Sequence, residues 1–359
     1  MQLAKPDIND DDIDAVIKVL RSGRLSIGPA VEEFEAKIAE YVGAKHAIAV
    51  SSGTAALHLC IKCLNLPLGS EILVPSFTFV ATVNAILYEG LIPVFVDITK
   101  DTFNIDPEDC EMKITQQTRA ILAVDVFGHP APWRELQKLS HEHNLYLIDD
   151  ACEALGAIID GNMLGTQAHL TTFAFYPNKQ ITTGEGGMIV TDIGRFDKKC
   201  RELRNHGRDC GGHYKQLGYN YRMSEMSAAL GNSQLKRIEE FISKRRKVVS
   251  WYSYRLGTSH LRTPQEVPNV RTSPFVYVVL LKDCATQGLI DELESKGVPT
   301  RIYFTPIGYM GYHHGKSNNS DLWVTNRVAG RTLALPFHTS MTEADVDKVC
   351  TTLLECLEA

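Results

Sequence analysis

The chain has 359 residues, 44% of them hydrophobic, and a formal net charge of -6 with no basic block. The length allows a large domain with an appendage, and the acidic balance lacks the electrostatic footprint of a nucleic-acid binder. No apolar run reaches the roughly 18 residues that a membrane span needs, so neither nucleic acid nor a membrane is expected as a partner.

The first stretch, MQLAKPDINDDDIDAVIKVL, is acidic and amphipathic, without the charged-then-apolar layout of a secretory leader. The nine cysteines are scattered. Cys60 and Cys63 lie in a helix-like run with no second pair beside them, so they read as reduced structural thiols and the expected location is cytoplasmic. The His141/His143 and His313/His314 pairs lack convergent partners and do not define a metal site.

Short apolar, β-branched runs then alternate with helical patterns. HAIAV (46–50) leads into SSGTAALHLCIKCL, and EILVPS (71–76) into FTFVATVNAILYEG. IPVFVDI (92–98) precedes the loop KDTFNIDPED, and RAILAVDVFG (119–128) precedes the polar helix RELQKLSHEHN. LYLIDDA (145–151), FAFYP (173–177) and GGMIVT (186–191) complete the series. The alternation predicts an α/β fold with a mostly parallel central sheet, helices on both faces and ligands at the carboxyl ends of the strands. From residue 225, EMSAALGNSQLKRIEEFISKRRKVVSWYSYRL reads as one long helix, followed by the strand-like FVYVVLL and VPTRIYF and a last helix, TEADVDKVCTTLLECLEA. The expected division is a large domain over 1–245 and a small C-terminal α+β domain over 246–359.

Chemistry is sought in the stretches that follow the strands. SSGTAAL (51–57) opens a helix, where amides and the helix field suit a phosphate, although a plain N-cap has the same pattern. It is neither a Walker loop nor a dinucleotide fingerprint. Phe79, after EILVPS, can stack on a flat ligand or pack in the core. Asp149 and Asp150 end a buried strand, where an acid needs a partner. The acid is then a helix cap, half of a buried salt bridge, or the partner of a protonated ring nitrogen, and Glu153 lies one helical step further on. Lys179 follows Phe-Ala-Phe-Tyr-Pro and precedes Thr-Thr-Gly-Glu-Gly-Gly. The aromatics imply shelter, which is costly for a lysine charge, and the glycines imply turns and close backbone approach. A phosphate cradle, a ring stacker, an acid for a ring nitrogen and a sheltered lysine are together the set that pyridoxal phosphate needs.

These stretches, taken in order, resemble the nucleotide-sugar aminotransferases of the DegT/DnrJ/EryC1/StrS group. The resemblance runs from GRLSIGPAVEEFEAKIAEYVGAKHAIAVSSGTAALHL through PSFTFVATVNAI, PVFVDI, IDDACEALGA, FYPNKQITTGEGG and LRNHGRD to GYNYRMSEMSAALGNSQLKRI, and more weakly into GVPTRIYFTPI and LALPFH. It implies the type I fold of pyridoxal 5'-phosphate enzymes, with pyridoxamine phosphate as the amino-carrying form. It also implies that Lys179 is the Schiff-base lysine and Asp150 the partner of the pyridine nitrogen. Phe79 would stack on the ring, Gly53 and Thr54 would hold the phosphate through the backbone, and Glu153 would lie against the ring. Asn220 would reach the phosphate of a neighbouring subunit, so a homodimer with shared active sites is expected. Two departures stand out. Ala174 replaces a usual phosphate-binding serine, for which Thr172, Thr54 or water would have to substitute, and Glu153 stands where relatives often carry Gln or His.

The implied reaction moves an amino group from L-glutamate to a nucleotide-diphosphate keto sugar, for surface polysaccharide or glycoside biosynthesis. Gly-Glu-Gly-Gly resembles the 4-aminating members, and IDDACEALGA and GYNYRM resemble the GDP-perosamine synthases among them, so a 4-keto-6-deoxy sugar is the expected acceptor. A sugar 3-aminotransferase, a cofactor-dependent sugar 3-dehydratase and a non-catalytic cofactor-binding regulator are the alternatives. Dehydratases of the group carry histidine in place of the lysine, and a regulator would need an added DNA-binding element.

Overall fold

The structure, a computed structural model, describes residues 1–257, 259, 261–263, 265, 267–283, 285–310 and 319–358; His313 and His314 lie outside them. Helix α1 (Asp10–Ser22) begins at a reciprocal cap between Asn9 and Asp12, with Asp10, Asp11 and Asp12 in its first turn. Helix α2 (Pro29–Val42) follows. Strands and helices then alternate: β1 (His46–Val50), α3 (Gly53–Leu64), β2 (Glu71–Pro75), α4 (Val80–Tyr88) and β3 (Ile92–Val96). The series continues with α5 (Pro107–Lys113), β4 (Thr118–Val124), α6 (Trp133–His143) and β5 (Tyr146–Asp150). A hairpin of β6 (Ile158–Ile159) and β7 (Asn162–Met163) precedes β8 (Leu170–Ala174), β9 (Gly187–Thr191) and α7 (Gly194–Arg204).

Seven strands form one sheet in the order β1-β9-β8-β5-β4-β2-β3. Strand β9 is antiparallel to both its neighbours, while the β2–β3, β2–β4, β4–β5 and β5–β8 pairs are parallel. Because β1 and β8 both oppose β9, they share a direction, and the carboxyl ends of β1, β2, β4, β5 and β8 open on one edge. The strands read as continuous apolar runs because successive residues enter different cores. Ile48, Ile72, Leu122 and Ile148 belong to one, and Ala49, Leu73, Ile121 and Leu147 to the other. Each buried Ile or Leu contributes roughly 1.5–3 kcal/mol.

Two expectations are corrected. The run FAFYP is mostly the exit from a strand, since β8 covers Leu170–Ala174. The polar-looking Thr172 fits the buried strand because its hydroxyl donates to the Asp149 carbonyl at 3.2 Å. The single long helix is two, α8 (Glu225–Leu235) and α9 (Ile238–Leu256). At the break, Gln234 Nε2 and Arg237 Nη2 each lie 2.6 Å from the buried Asp12 carboxylate of α1. Hydrophobic periodicity runs through such a break unchanged.

Helix α9 passes between cores: Phe241 and Ile242 pack beneath the large sheet, whereas Val248, Tyr252 and Leu256 pack with a small one. The remaining elements are β10 (Val270–Arg271), which pairs with β6, then β11 (Tyr277–Leu280), α10 (Gln287–Ser295), β12 (Arg301–Ile302), α11 (Trp323–Val328), β13 (Thr332–Leu335) and α12 (Glu343–Glu358). Strands β11, β13 and β12 form the small antiparallel sheet.

Candidate active site

The carboxyl edge of the large sheet carries a cavity of about 390 Å³, in the range of small-molecule sites. Gly53, Thr54, Phe79, Asp150, Glu153 and Lys179 all line it. Sequence reasoning thus named residues that the fold brings together from four separate strand ends. Asn220 is not among the walls and is exposed.

Asp150 is the last residue of β5. Its Oδ2 accepts from Thr82 Oγ1 at 2.7 Å and its Oδ1 from the Cys152 amide at 3.3 Å. Thr82 is in turn 2.9 Å from Thr78 Oγ1, so a chain of hydroxyls from the start of α4 fixes the carboxylate. Asp149, one residue earlier, belongs to the opposite face of the sheet. It is fully buried, and burial first, then the Asp125 carboxyl, push it well above the usual carboxylate range. Burial likewise raises Asp125 to about 7.

Lys179 sits in a turn closed by its own amide on the Tyr176 carbonyl at 2.9 Å. Its side chain is 13% exposed, with Nζ 3.8 Å from Glu153 Oε1 and 4.1 Å from the centre of the Phe275 ring. Glu153 accepts the Phe127 amide at 2.8 Å. Burial pushes its carboxyl up to about 7, against the opposing pull of the Lys179 charge and the Phe127 amide.

Other residues shape this turn and were not singled out from sequence. Arg245 on α9 is buried and donates to the carbonyls of Lys179 (2.9 Å) and Phe275 (3.1 Å). Burial lowers its guanidinium to about 10. Gln180 Nε2 donates to the Glu153 carbonyl at 2.6 Å and the Ser273 carbonyl at 2.7 Å. These bonds tie the lysine turn to the segment that carries Phe275. In the sequence Arg245 is half of an Arg-Arg pair in a polar helical stretch, which reads as a solvated face.

Ser52, also in the cavity wall, caps α3 by accepting from the Ala55 amide, and the Ala56 amide goes to the Ser52 carbonyl. The Gly53 and Thr54 amides find no acceptor among the described residues, as expected for a first helical turn open to an anion. The approach to β8 is so close that a Cβ on Gly53 would lie 2.7 Å from Ala174 Cβ. The glycines of Gly-Glu-Gly-Gly answer a similar need, because a Cβ on Gly187 would lie 2.3 Å from the Ser52 carbonyl oxygen. Phe79, at the N-cap of α4, is 58% exposed, so it is not spent on the core. Thr172 is excluded as a stand-in for the missing serine, since its hydroxyl is bonded inside the sheet and does not reach the cavity.

A cavity lined by free helix-terminal amides, a buried amine and a fixed carboxylate has the groups that a phosphorylated pyridine aldehyde needs, so the class the fold and site define is a pyridoxal-phosphate enzyme. Comparison with known proteins narrows the class. The pattern of the DegT/DnrJ/EryC1/StrS aminotransferase family matches residues 6–354, and the chain belongs to that family. It is a pyridoxal-phosphate-dependent sugar aminotransferase. It is 35% identical to a GDP-perosamine synthase of Caulobacter vibrioides over 366 residues, covering 99% of this chain and 98% of that protein. Among solved structures, Helicobacter pylori PseC, an aminotransferase involved in pseudaminic acid biosynthesis, superposes with a TM-score of 0.94 at 28% identity, covering 99% of each chain. Spr1654 of Streptococcus pneumoniae in its PLP form superposes with a TM-score of 0.95 at 25% identity, covering 100% of this chain and 98% of that one.

Proposed function

We propose that the chain transfers the amino group of L-glutamate to a nucleotide-diphosphate-linked 4-keto-6-deoxy sugar, a reaction of the GDP-perosamine synthase kind, and that it works as a homodimer with shared active sites. The observation that carries the reading is that the Lys179 amine, the Asp150 carboxylate and the Gly53–Thr54 helix terminus line one cavity. The passage of α9 between two cores supports dividing the chain into domains 1–245 and 246–359.

In this reading Gly53 and Thr54 would hold the cofactor phosphate through their amides, Phe79 would lie against its ring, and Lys179 would be the residue that bonds it. Bound there, pyridoxal phosphate supplies an electron sink and carries the amino group from donor to acceptor. Asp150, held by Thr82, keeps a proton on the ring nitrogen by offering it an anionic acceptor. Lys179, when not bonded to the cofactor, would be the general base that takes the proton from the donor carbon bearing nitrogen and holds it as an ammonium beside Glu153. Glu153 is 3.8 Å from Nζ and steadies the amine while it is charged. Asn220 faces outward to serve the partner's phosphate.

Adding glutamate to the cofactor-loaded protein should abolish the visible absorbance of lysine-bound cofactor and release one equivalent of 2-oxoglutarate per site. A GDP-linked 4-keto-6-deoxy sugar should then restore it, whereas dTDP- and UDP-linked analogues should not. No response to glutamate would overturn the transaminase mechanism; restoration only by a 3-keto sugar would move the acceptor position.

A further inference from the structure

Asn220 sits in a short extended segment whose backbone is pinned along its length. The Tyr219 amide donates to Leu203 O at 2.7 Å, the Tyr221 amide to Arg204 O at 3.0 Å, and the Ser51 amide to Tyr221 O at 2.8 Å. Ser51 immediately precedes the cap of α3, so this segment is joined directly to the start of the helix whose Gly53 and Thr54 line the cavity. In an extended chain residues 219 and 221 share a face and residue 220 takes the other. The rings of Tyr219 and Tyr221 stack at 5.0 Å, and both meet His58, at 4.8 and 5.8 Å. Asn220, on the other face, is exposed.

His58 is 5% exposed and lies in the middle of α3. Its Nε2 is 2.8 Å from Glu89 Oε1 and its Nδ1 is 3.1 Å from the Tyr221 hydroxyl, while Lys62 holds the other Glu89 oxygen at 2.7 Å. An ionised carboxylate only accepts, so Nε2 donates to Glu89; in the neutral ring Nδ1 then accepts the Tyr221 proton. Burial, with Tyr219, Tyr88 and Glu89 nearby, raises the Tyr221 phenol above its ordinary value, and it keeps that proton.

We propose that His58 is a positioning residue for the neighbouring subunit's active site: gripping Tyr221 and Tyr219 from α3, it fixes the segment that presents Asn220 to the partner's cofactor phosphate. This rests on the reading that Asn220 acts across the dimer. The same helix would then hold its own subunit's phosphate at its N-terminus and set the partner's contact from its middle.

The test uses hybrid dimers, assembled from differently tagged chains and purified on both tags, in which one chain carries Lys179→Ala. Only one site then binds cofactor covalently, and the readout is the rate at which borohydride-trappable cofactor disappears from Lys179 after transfer to cofactor-free buffer. Tyr221→Phe keeps the ring and removes only the hydroxyl; His58→Phe is the stronger variant. Either homodimer should lose cofactor about tenfold faster than the parent. With the variant on the Lys179-bearing chain, retention should return to that of the parent hybrid; with it on the Lys179→Ala chain, retention should be lost. A defect that stays with the Lys179-bearing chain would show that His58 acts on its own cradle and would overturn the proposal. Asn220→Ala, taken through the same two hybrids, tests the underlying reading separately. If its defect crosses to the partner while Tyr221→Phe changes nothing in either hybrid, the shared site stands and the role of His58 falls. If its defect stays in its own chain, the shared site itself falls.

Discussion

Replacing Glu153 by Gln should make the cofactor-free protein more stable at alkaline pH than its parent, by an amount that grows through neutrality. Glu153 is buried, and its carboxyl is pushed from 4.5 to about 7 mainly by that burial. The folded protein therefore binds this proton more tightly than the unfolded chain does. The contribution is fully present below pH 4.5 and is lost as pH rises through about 7. The gap between the two values corresponds to roughly 3 kcal/mol at full ionisation. Gln has nearly the same shape, its carbonyl can still accept the Phe127 amide, and it does not ionise. Urea denaturation of parent and variant, at one protein concentration and at steps from pH 5 to pH 8, gives the difference directly. It should be small at pH 5 and approach about 3 kcal/mol in the variant's favour at pH 8. A difference that is flat with pH, or that favours the parent at pH 8, would mean that attraction to Lys179 and the Phe127 amide offset desolvation, so that burial does not raise the Glu153 carboxyl.

Lys179→Ala should abolish the borohydride-trappable cofactor and transamination together; trapping at another lysine would reassign the covalent residue. Asp150→Asn should keep the cofactor but lower turnover by about 100-fold or more, equivalent to roughly 3 kcal/mol of barrier, and steady-state rates at saturating glutamate and sugar would read it. Gly53→Ala forces a Cβ to 2.7 Å from Ala174 Cβ and 3.2 Å from Cys152 Sγ, so cofactor affinity measured by equilibrium dialysis should fall about tenfold or more, while an unchanged affinity would show that α3 can retreat from β8 at no cost.

Much of this site is legible in the sequence because parallel strands announce themselves as apolar runs and ligands gather where those runs end. Gly53, Phe79, Asp150 and Lys179 follow four such runs, and the fold puts them around one cavity. Asp149 and Asp150 were indistinguishable as types; strand alternation separates them, sending Asp150 into the cavity and Asp149 toward Asp125. What the sequence did not disclose comes from distant segments. Arg245 and Gln180 act through backbone carbonyls, which carry no residue-type signature, and Phe275 and Tyr303 reach the cavity only because α9 carries the chain to a second core. The break between α8 and α9 leaves no mark on the hydrophobic period, and the side chains beside it answer to Asp12 at the other end of the chain.

On the proposed reading, backbone amides at the start of α3 would take the place of a side chain at Ala174. A serine there would add a hydroxyl, and Thr172 cannot supply one because its own is bonded to the Asp149 carbonyl. Thr54 lines the cavity and retains a hydroxyl. The larger contribution on this reading comes from packing: Gly53 and Ala174 are both small, so α3 starts almost in contact with β8, and its free amides lie at the wall of the cavity. An anion at a helix N-terminus gains from the helix field as well as from hydrogen bonds, by about 0.3–1 kcal/mol at an exposed site and up to ~2 when partly buried. One neutral hydroxyl bond contributes about 0.5–1.5 kcal/mol, so close packing of that terminus can offset the loss of the serine without any further polar group.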